Sequence, residues 1–212
     1  MRGRLVLTLA ALALVVAPPV TLAKQSAATR STVTISGHGS RVVTIRLARN
    51  SPLVVTGFHN GQSNFIVRVV GSGTNAYVFN EIGVYRGQAA VPDIKAGRFR
   101  VAVQADGSWT LGFAQPMPPR KARLIPGTIS GQGARVVAVR STRHMQPIVT
   151  ATHRGESNFI VQMIGYGNTS GQAYVFNEIG NFHGQTLMDD LPRGTYLLYV
   201  QGDGPWTLRF SP

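Results

Sequence analysis

The chain contains no cysteine. Disulfides, a thiol nucleophile, cysteine-based zinc sites and lipid attached to a cysteine are therefore excluded. Acidic residues are scarce as well: 8 Asp and Glu stand against 21 Lys and Arg, for a formal charge of +13. A charge of that size speaks about solubility and partners rather than about fold. No H-E-x-x-H, G-x-S-x-G, phosphate-binding loop or dinucleotide fingerprint occurs, so the sequence offers no catalytic motif. After the first residues, no apolar run is long enough to span a bilayer.

What the chain does have is a repeat. Ser63-Asn64-Phe65-Ile66-Val67 recurs as Ser157-Asn158-Phe159-Ile160-Val161, and 77–83 (Tyr-Val-Phe-Asn-Glu-Ile-Gly) recurs as 174–180. The offset is 158 − 64 = 94 at the first string and 177 − 80 = 97 at the second, so three residues are inserted between Gly165 and Ala173. Two identities in one order mean a tandem duplication. With 43% hydrophobic and 14% charged residues, neither copy reads as disordered.

Residues 1–23 read as a secretory signal: Arg2 and Arg4, an apolar run over 5–16, then Pro18-Pro19 and the small Ala23. Cleavage is expected after Ala23, with Ala28 as the alternative, and 24–31 form a flexible lead-in. The mature protein is thus expected to be secreted or to lie in the cell envelope.

The first repeat covers 32–113. Val43, Ile45 and Leu47 alternate with Thr44 and Arg46, the period-two pattern of a half-buried strand. Phe99, Val101 and Val103 alternate likewise with Arg98, Arg100 and Gln104. Asp106-Gly107 and the alternation of Trp109, Leu111 and Phe113 then read as the turn and second arm of a hairpin. With 53–58, 65–70, 76–79 and 85–90, each bounded by Gly, Asn or Ser, about eight strands and no helix emerge. The fold class is all-β, a jelly-roll-like β-sandwich in each repeat. Four prolines and the basic Arg120, Lys121 and Arg123 make 114–127 a linker, and 128–212 retrace the first repeat.

Comparison of the two halves singles out matched polar residues. Glu81, Asp93 and Asp106 recur as Glu178, Asp190 and Asp203; His59 recurs as His153, Asn64 as Asn158, and Asn80 as Asn177. Carboxylates in that number could serve glycoside hydrolysis or calcium binding. Turn chemistry explains them better: Asp precedes Gly at the loop, His59 and His153 cap a turn, and Asn80 and Asn177 close one. No metal or cofactor is expected. Trp109 and Trp206 begin inward alternations, so they are placed in the core rather than in sugar stacking. Tyr166, in the loop with the insertion, is the expected exposed aromatic. Asn168-Thr169-Ser170 matches a glycosylation acceptor and nothing else supports it.

The basic residues point outward to partners. Arg41 and Arg46 recur as Arg135 and Arg140, and Arg120, Lys121 and Arg123 lie between the repeats. Arg46 and Arg140 project from equivalent strands, which suits an anionic wall polymer or lipid headgroups. Nucleic acid is a poor fit, since no aromatic-basic motif of an RNA-binding sheet is present.

The succession Ser63-Asn64-Phe65, then Asn80-Glu81-Ile82-Gly83, then residues 96–101 and 105–110 resembles small secreted β-sandwich modules of the bacterial pre-peptidase C-terminal type. There, a Gly-Tyr-x-x-x-Val strand leads to a Gly-x-Trp hairpin; the matching positions here are 97–103 with 106–109, and 194–200 with 203–206. The resemblance implies an accessory module that binds or assists secretion. The sequence is read as an exported, non-enzymatic binding or structural protein of the cell envelope. A pair of carbohydrate-binding modules is the alternative, and a weak hydrolase using Glu81 and Glu178 comes third.

Overall fold

The computed structural model describes residues 30–116, 122–169 and 171–212. The signal, most of the lead-in, Arg120, Lys121 and Ser170 of the glycosylation acceptor lie outside them. The first repeat forms eight strands: β1 (Arg30–His38), β2 (Arg41–Leu47), β3 (Ser51–Asn60), β4 (Asn64–Gly71), β5 (Thr74–Ile82), β6 (Tyr85–Ile94), β7 (Gly97–Gln104) and β8 (Ser108–Pro116). A short β9 (Arg123–Ile125) precedes the second set. That set is β10 (Gly127–Gln132), β11 (Arg135–Ser141), β12 (Ile148–His153), β13 (Asn158–Gly165), β14 (Gln172–Ile179), β15 (Phe182–Leu187), β16 (Gly194–Gln201) and β17 (Pro205–Ser211). A 3-10 turn, Gly167–Thr169, holds the insertion. Among the described residues no helix is long and apolar enough to cross a membrane.

The sheet orders are β1-β8-β3-β6 facing β2-β7-β4-β5, and β10-β17-β12-β15 facing β14-β13-β16-β11. This antiparallel order is that of a jelly roll, with sequence neighbours split between two packed sheets except at the β4–β5 and β13–β14 hairpins. The extra β9 runs parallel to β11, pairing Arg123 with Val139.

The hairpin expected around Asp106 does not form. β7 pairs with β2 and β4, while β8 pairs with β1 and β3, so Asp106-Gly107 carries the chain from one sheet to the other. Alternation reports which face of a strand is buried and is silent about its partner. The matched pair Asp93 and Asp190 is placed differently: Asp93 lies within β6 at φ 51°, beside a break in the β3–β6 register, whereas Asp190 is in a loop.

Alternation does predict the core. Phe65, Phe99, Phe113 and Trp109 fill the first sandwich, and Phe159, Phe210 and Trp206 the second. Each indole N–H donates to a backbone carbonyl, Trp109 to Gly39 at 2.9 Å and Trp206 to Gly133 at 3.0 Å, so the rings are buried with their polar atom satisfied. A Cβ on Gly37 would lie 2.9 Å from Cε2 of Trp109, which is why the ring crosses bare backbone there.

The repeats are packed against each other. Ile164, Leu197 and Tyr199, on the outer face of the β13-β16-β11 sheet, and Tyr166, just after β13, join the buried cluster of the first repeat. The Gln88 N–H in β6 donates to the Ala134 carbonyl at 3.0 Å, and the Val136 N–H donates to Gln88 Oε1 at 3.1 Å. Tyr166 is therefore no exposed aromatic but only 9% accessible. Thr169 Oγ1 clamps its backbone at 2.8 and 3.1 Å, and burial pushes its phenol up to about 12.

Candidate functional site

The outer face of β2-β7-β4-β5 carries the first candidate. Register sets its side chains in rows: Arg46 opposite Arg98, Thr44–Arg100–Val70–Asn75, and Val42–Ala102–Arg68–Tyr77. Arg46, Arg98 and Arg100 are exposed. Arg68 Nε donates to Asn75 Oδ1 at 2.6 Å, and its guanidinium lies 5.4 Å from the Tyr77 ring centroid. Two hollows open on this face. One of about 450 Å³ is lined by Arg41, Val42, Ile66, Arg68, Tyr77 and Gln104; one of about 360 Å³ is lined by Thr44, Val70, Arg98 and Arg100. No acid lines either. The three acids of this repeat stand elsewhere: Glu81 opposite Phe65, Asp93 in β6, and Asp106 in the crossover.

The second repeat lacks this face. Thr195, Leu197 and Gln162 occupy the positions of Arg98, Arg100 and Arg68, and Arg140 sits half-buried between Thr195 and Leu124. Arg46 and Arg140 therefore do not form two copies of one exposed surface. Arg41 and Arg135 are exposed, with Nε donating to the carbonyls of His38 and Gln132 at 3.3 Å each. Arg123 is exposed on β9. The outward positions of Arg98 and Arg100 are legible in their alternation; their place beside Arg46 is not.

The matched histidines are structural clamps. His59 is buried and stacked on Phe65 at 4.7 Å; Nδ1 donates to Gly83 O at 2.8 Å, and Nε2 lies 3.3 Å from Asp106 Oδ1. His153 repeats this on Phe159, with Gly180 O at 2.8 Å and Asp203 Oδ1 at 3.4 Å. Asp106 Oδ2 accepts the N–H groups of Gln62 and Ser63, and those bonds hold its carboxyl below the ordinary range. For Asp203, desolvation works upward, and the N–H groups of Glu156, Asp203 and Ser157 outweigh it. Asn80 and Asn177 point outward within β5 and β14 and close no turn, because each strand runs on two residues past its Asn, to Ile82 and Ile179. Asn64 and Asn158 are exposed at the starts of β4 and β13.

A third hollow, about 300 Å³, lies in the seam between repeats. Asn80, Glu81, Gln162, Gln172, Tyr174 and Gln201 line it, with the buried Tyr199 at its floor. Burial raises the Glu81 carboxyl, and burial followed by the Glu81 charge raises the phenols of Tyr85 and Tyr199. Glu178 lines a different hollow, of about 550 Å³, on the uncovered β14–β15 side, so the two glutamates share no site. A register break in each β4–β5 type pair turns Val78 and Val175 inward and leaves Tyr77 and Tyr174 exposed, aromatics that strand periodicity does not reveal. A larger hollow, about 880 Å³, lies over β10, β12 and β17 among Ser130, Thr152, Arg154, His183 and Thr207. Among the described residues no three His, Asp or Glu converge as metal ligands.

No family model and no curated protein matches the chain. Among solved structures, an f-lectin (fucolectin) from Morone saxatilis serum is 7% identical, over 84% of this chain and 83% of that one, at a TM-score of 0.27. The N-terminal CBM22-1–CBM22-2 tandem domain of Xyn10C from Paenibacillus barcinonensis is 7% identical, over 85% and 89%, at 0.28. Vicilin from Corylus avellana is 10% identical, over 89% and 84%, at 0.18. Likeness at this level carries no functional assignment.

Proposed function

We propose that the chain is an exported, non-enzymatic binding protein of the cell envelope, and that the basic face of its first repeat holds an anionic partner. One observation carries this: Arg46 stands directly across the ladder from Arg98, with Arg100 and Arg68 on the same face and no acid in either hollow. Like charges directly opposite on a sheet repel. The fold sustains that repulsion, and an anion lying across the rows relieves it. The resemblance to pre-peptidase C-terminal modules supports an accessory binding role of this kind. Export rests on the signal-like residues 1–23.

The test is retention on poly-glutamate and on phosphatidylglycerol vesicles across a salt series. Exposed charges farther apart than about 8 Å are largely screened at physiological salt, so retention should fall steeply as salt rises. An Arg98→Ala/Arg100→Ala variant should lose most of it. Salt-independent retention, or a variant retained like the parent, would remove the basic face from the argument.

Carbohydrate binding is a second reading, and the seam favours it. The amides of Asn80, Gln162, Gln172 and Gln201 line that hollow, beside the exposed ring of Tyr174. An amide both donates and accepts, as hydroxyl-rich ligands require. A Gln162→Ala/Gln201→Ala variant that binds neutral polysaccharides as its parent does would sink this reading. The hydrolase reading has no such support, since Glu81 and Glu178 line separate hollows.

A further inference from the structure

The chain contains one joint between its repeats and, at its far sides, a vacant copy of each half of that joint. At the internal joint, edge strand β6 presents Gln88, whose N–H donates to Ala134 O and whose Oε1 accepts the Val136 N–H. In the duplication Gln185 of β15 corresponds to Gln88, and Ser40, just before β2, and Val42 of β2 correspond to Ala134 and Val136. Both strands end their sheets. Gln185 is exposed, and Val42 is 67% and Leu187 55% accessible. The ladders keep the same register in both repeats: Val42 faces Ala102 as Val136 faces Tyr199, and Gln88 faces Thr56 as Gln185 faces Thr150. The N–H groups of Gln185 and Val42 therefore point away from their own sheets, and an edge with unpaired groups is a template for another chain.

The chemistry of the two vacant halves is complementary. At the internal joint Glu81 lines the seam with Gln162 and Tyr199. Repeating the joint with the open sides puts Glu178 in the place of Glu81, and Arg68 and Ala102 in the places of Gln162 and Tyr199. Arg100 stands where the internal joint has Leu197. The polar pair Glu81 and Gln162 is exchanged for a pair of opposite charge, Glu178 against Arg68.

We infer that a second copy of this chain fills these surfaces, the β14–β15 side of one copy seating on the β2-β7-β4-β5 face of the next. Such a contact is head-to-tail, so it builds open chains or rings rather than a two-fold dimer. It draws on Arg68 and Arg100, so a polyanion competes with it.

The test is the mass of the purified chain by light scattering and sedimentation velocity, at low salt and without any polyanion. Mass should rise with concentration and fall back as salt is added. Arg68→Glu and Glu178→Arg should each stay monomeric, and an equimolar mixture of the two should associate again, because each supplies the charge the other lost. Gln185→Pro removes the outward N–H without touching the β12 ladder, a change that edge strands tolerate, and should also stay monomeric with an unchanged melt. A parent that is monomeric at every concentration overturns the inference. So does an inert mixture beside an associating parent, or a Gln185→Pro variant that associates fully. Because no polyanion is present, none of these outcomes bears on retention by anionic surfaces.

Discussion

The buried imidazole of His59 is held between Gly83 O, 2.8 Å from Nδ1, and the Asp106 carboxylate, 3.3 Å from Nε2. The same carboxylate gathers two backbone N–H groups, so one acid ties the β7–β8 crossover to the loop after β3.

Asp106→Asn should therefore lower the melting temperature at neutral pH. The Asp106 carboxyl is held below its ordinary range, first by the Gln62 N–H. A lowered folded value means stability that is complete above the unfolded value, about 3.9, and is lost as pH falls through the folded one. The gap between parent and variant should be widest near neutrality and shrink below about pH 4. Melts across that range check it; a gap that does not narrow counts against the carboxylate.

Glu81 should behave in the opposite sense. Burial raises its carboxyl, so the folded state loses stability as pH rises from the ordinary glutamate value of about 4.3 toward the folded value. Glu81→Gln removes a charge the seam holds out of water, and should melt higher than the parent at neutral pH but not near pH 4. Thermal melts at the two pH values decide; a lower melt at neutrality would mean that the charge stabilises the seam.

Trp109→Ala should cost about 3–5 kcal/mol, the range for truncating a large buried aromatic. The ring is 1% accessible and its N–H is bonded to Gly39 O. Denaturant unfolding measures this directly. A loss under about 1 kcal/mol, within reach of surface substitutions, would contradict a core role.

Arg98→Glu should stabilise the first sandwich while weakening retention on anionic surfaces. It replaces a like-charge pair with Arg46 by an opposite-charge one, and such cross-strand pairs contribute roughly 0.2–1 kcal/mol. Parallel melts and retention assays test the pairing of these effects. If both fall together, the variant has merely damaged the fold.

Expressed separately, residues 31–114 and 127–212 should each show β-type circular dichroism and a cooperative melt. Both should melt below the full chain, because separation exposes Leu197, Tyr199 and the seam side of β6. Halves that do not melt cooperatively would show that the repeats depend on one shared core.

The duplication, the all-β class and the inward residues were legible because they are local properties. A strand's side chains alternate whatever its partner, so Phe99, Val101 and Val103 could be assigned to the core from spacing alone. Both indoles were placed the same way.

Partnership was not legible, since it depends on residues distant in the chain. Only the jelly-roll register sets Arg46 beside Arg98 and sends Asp106 across sheets instead of around a hairpin. Tertiary contact likewise decided Tyr166, which an insertion loop suggested was exposed and which the first repeat buries. The clearest case is the shared string around Glu81 and Glu178. Seven identical residues surround the two acids, yet Glu81 lies in a seam that desolvates it and Glu178 lines an open hollow. Identical strands acquire different chemistry because the second repeat covers one of them, and the dielectric around a carboxylate is set by what packs over it.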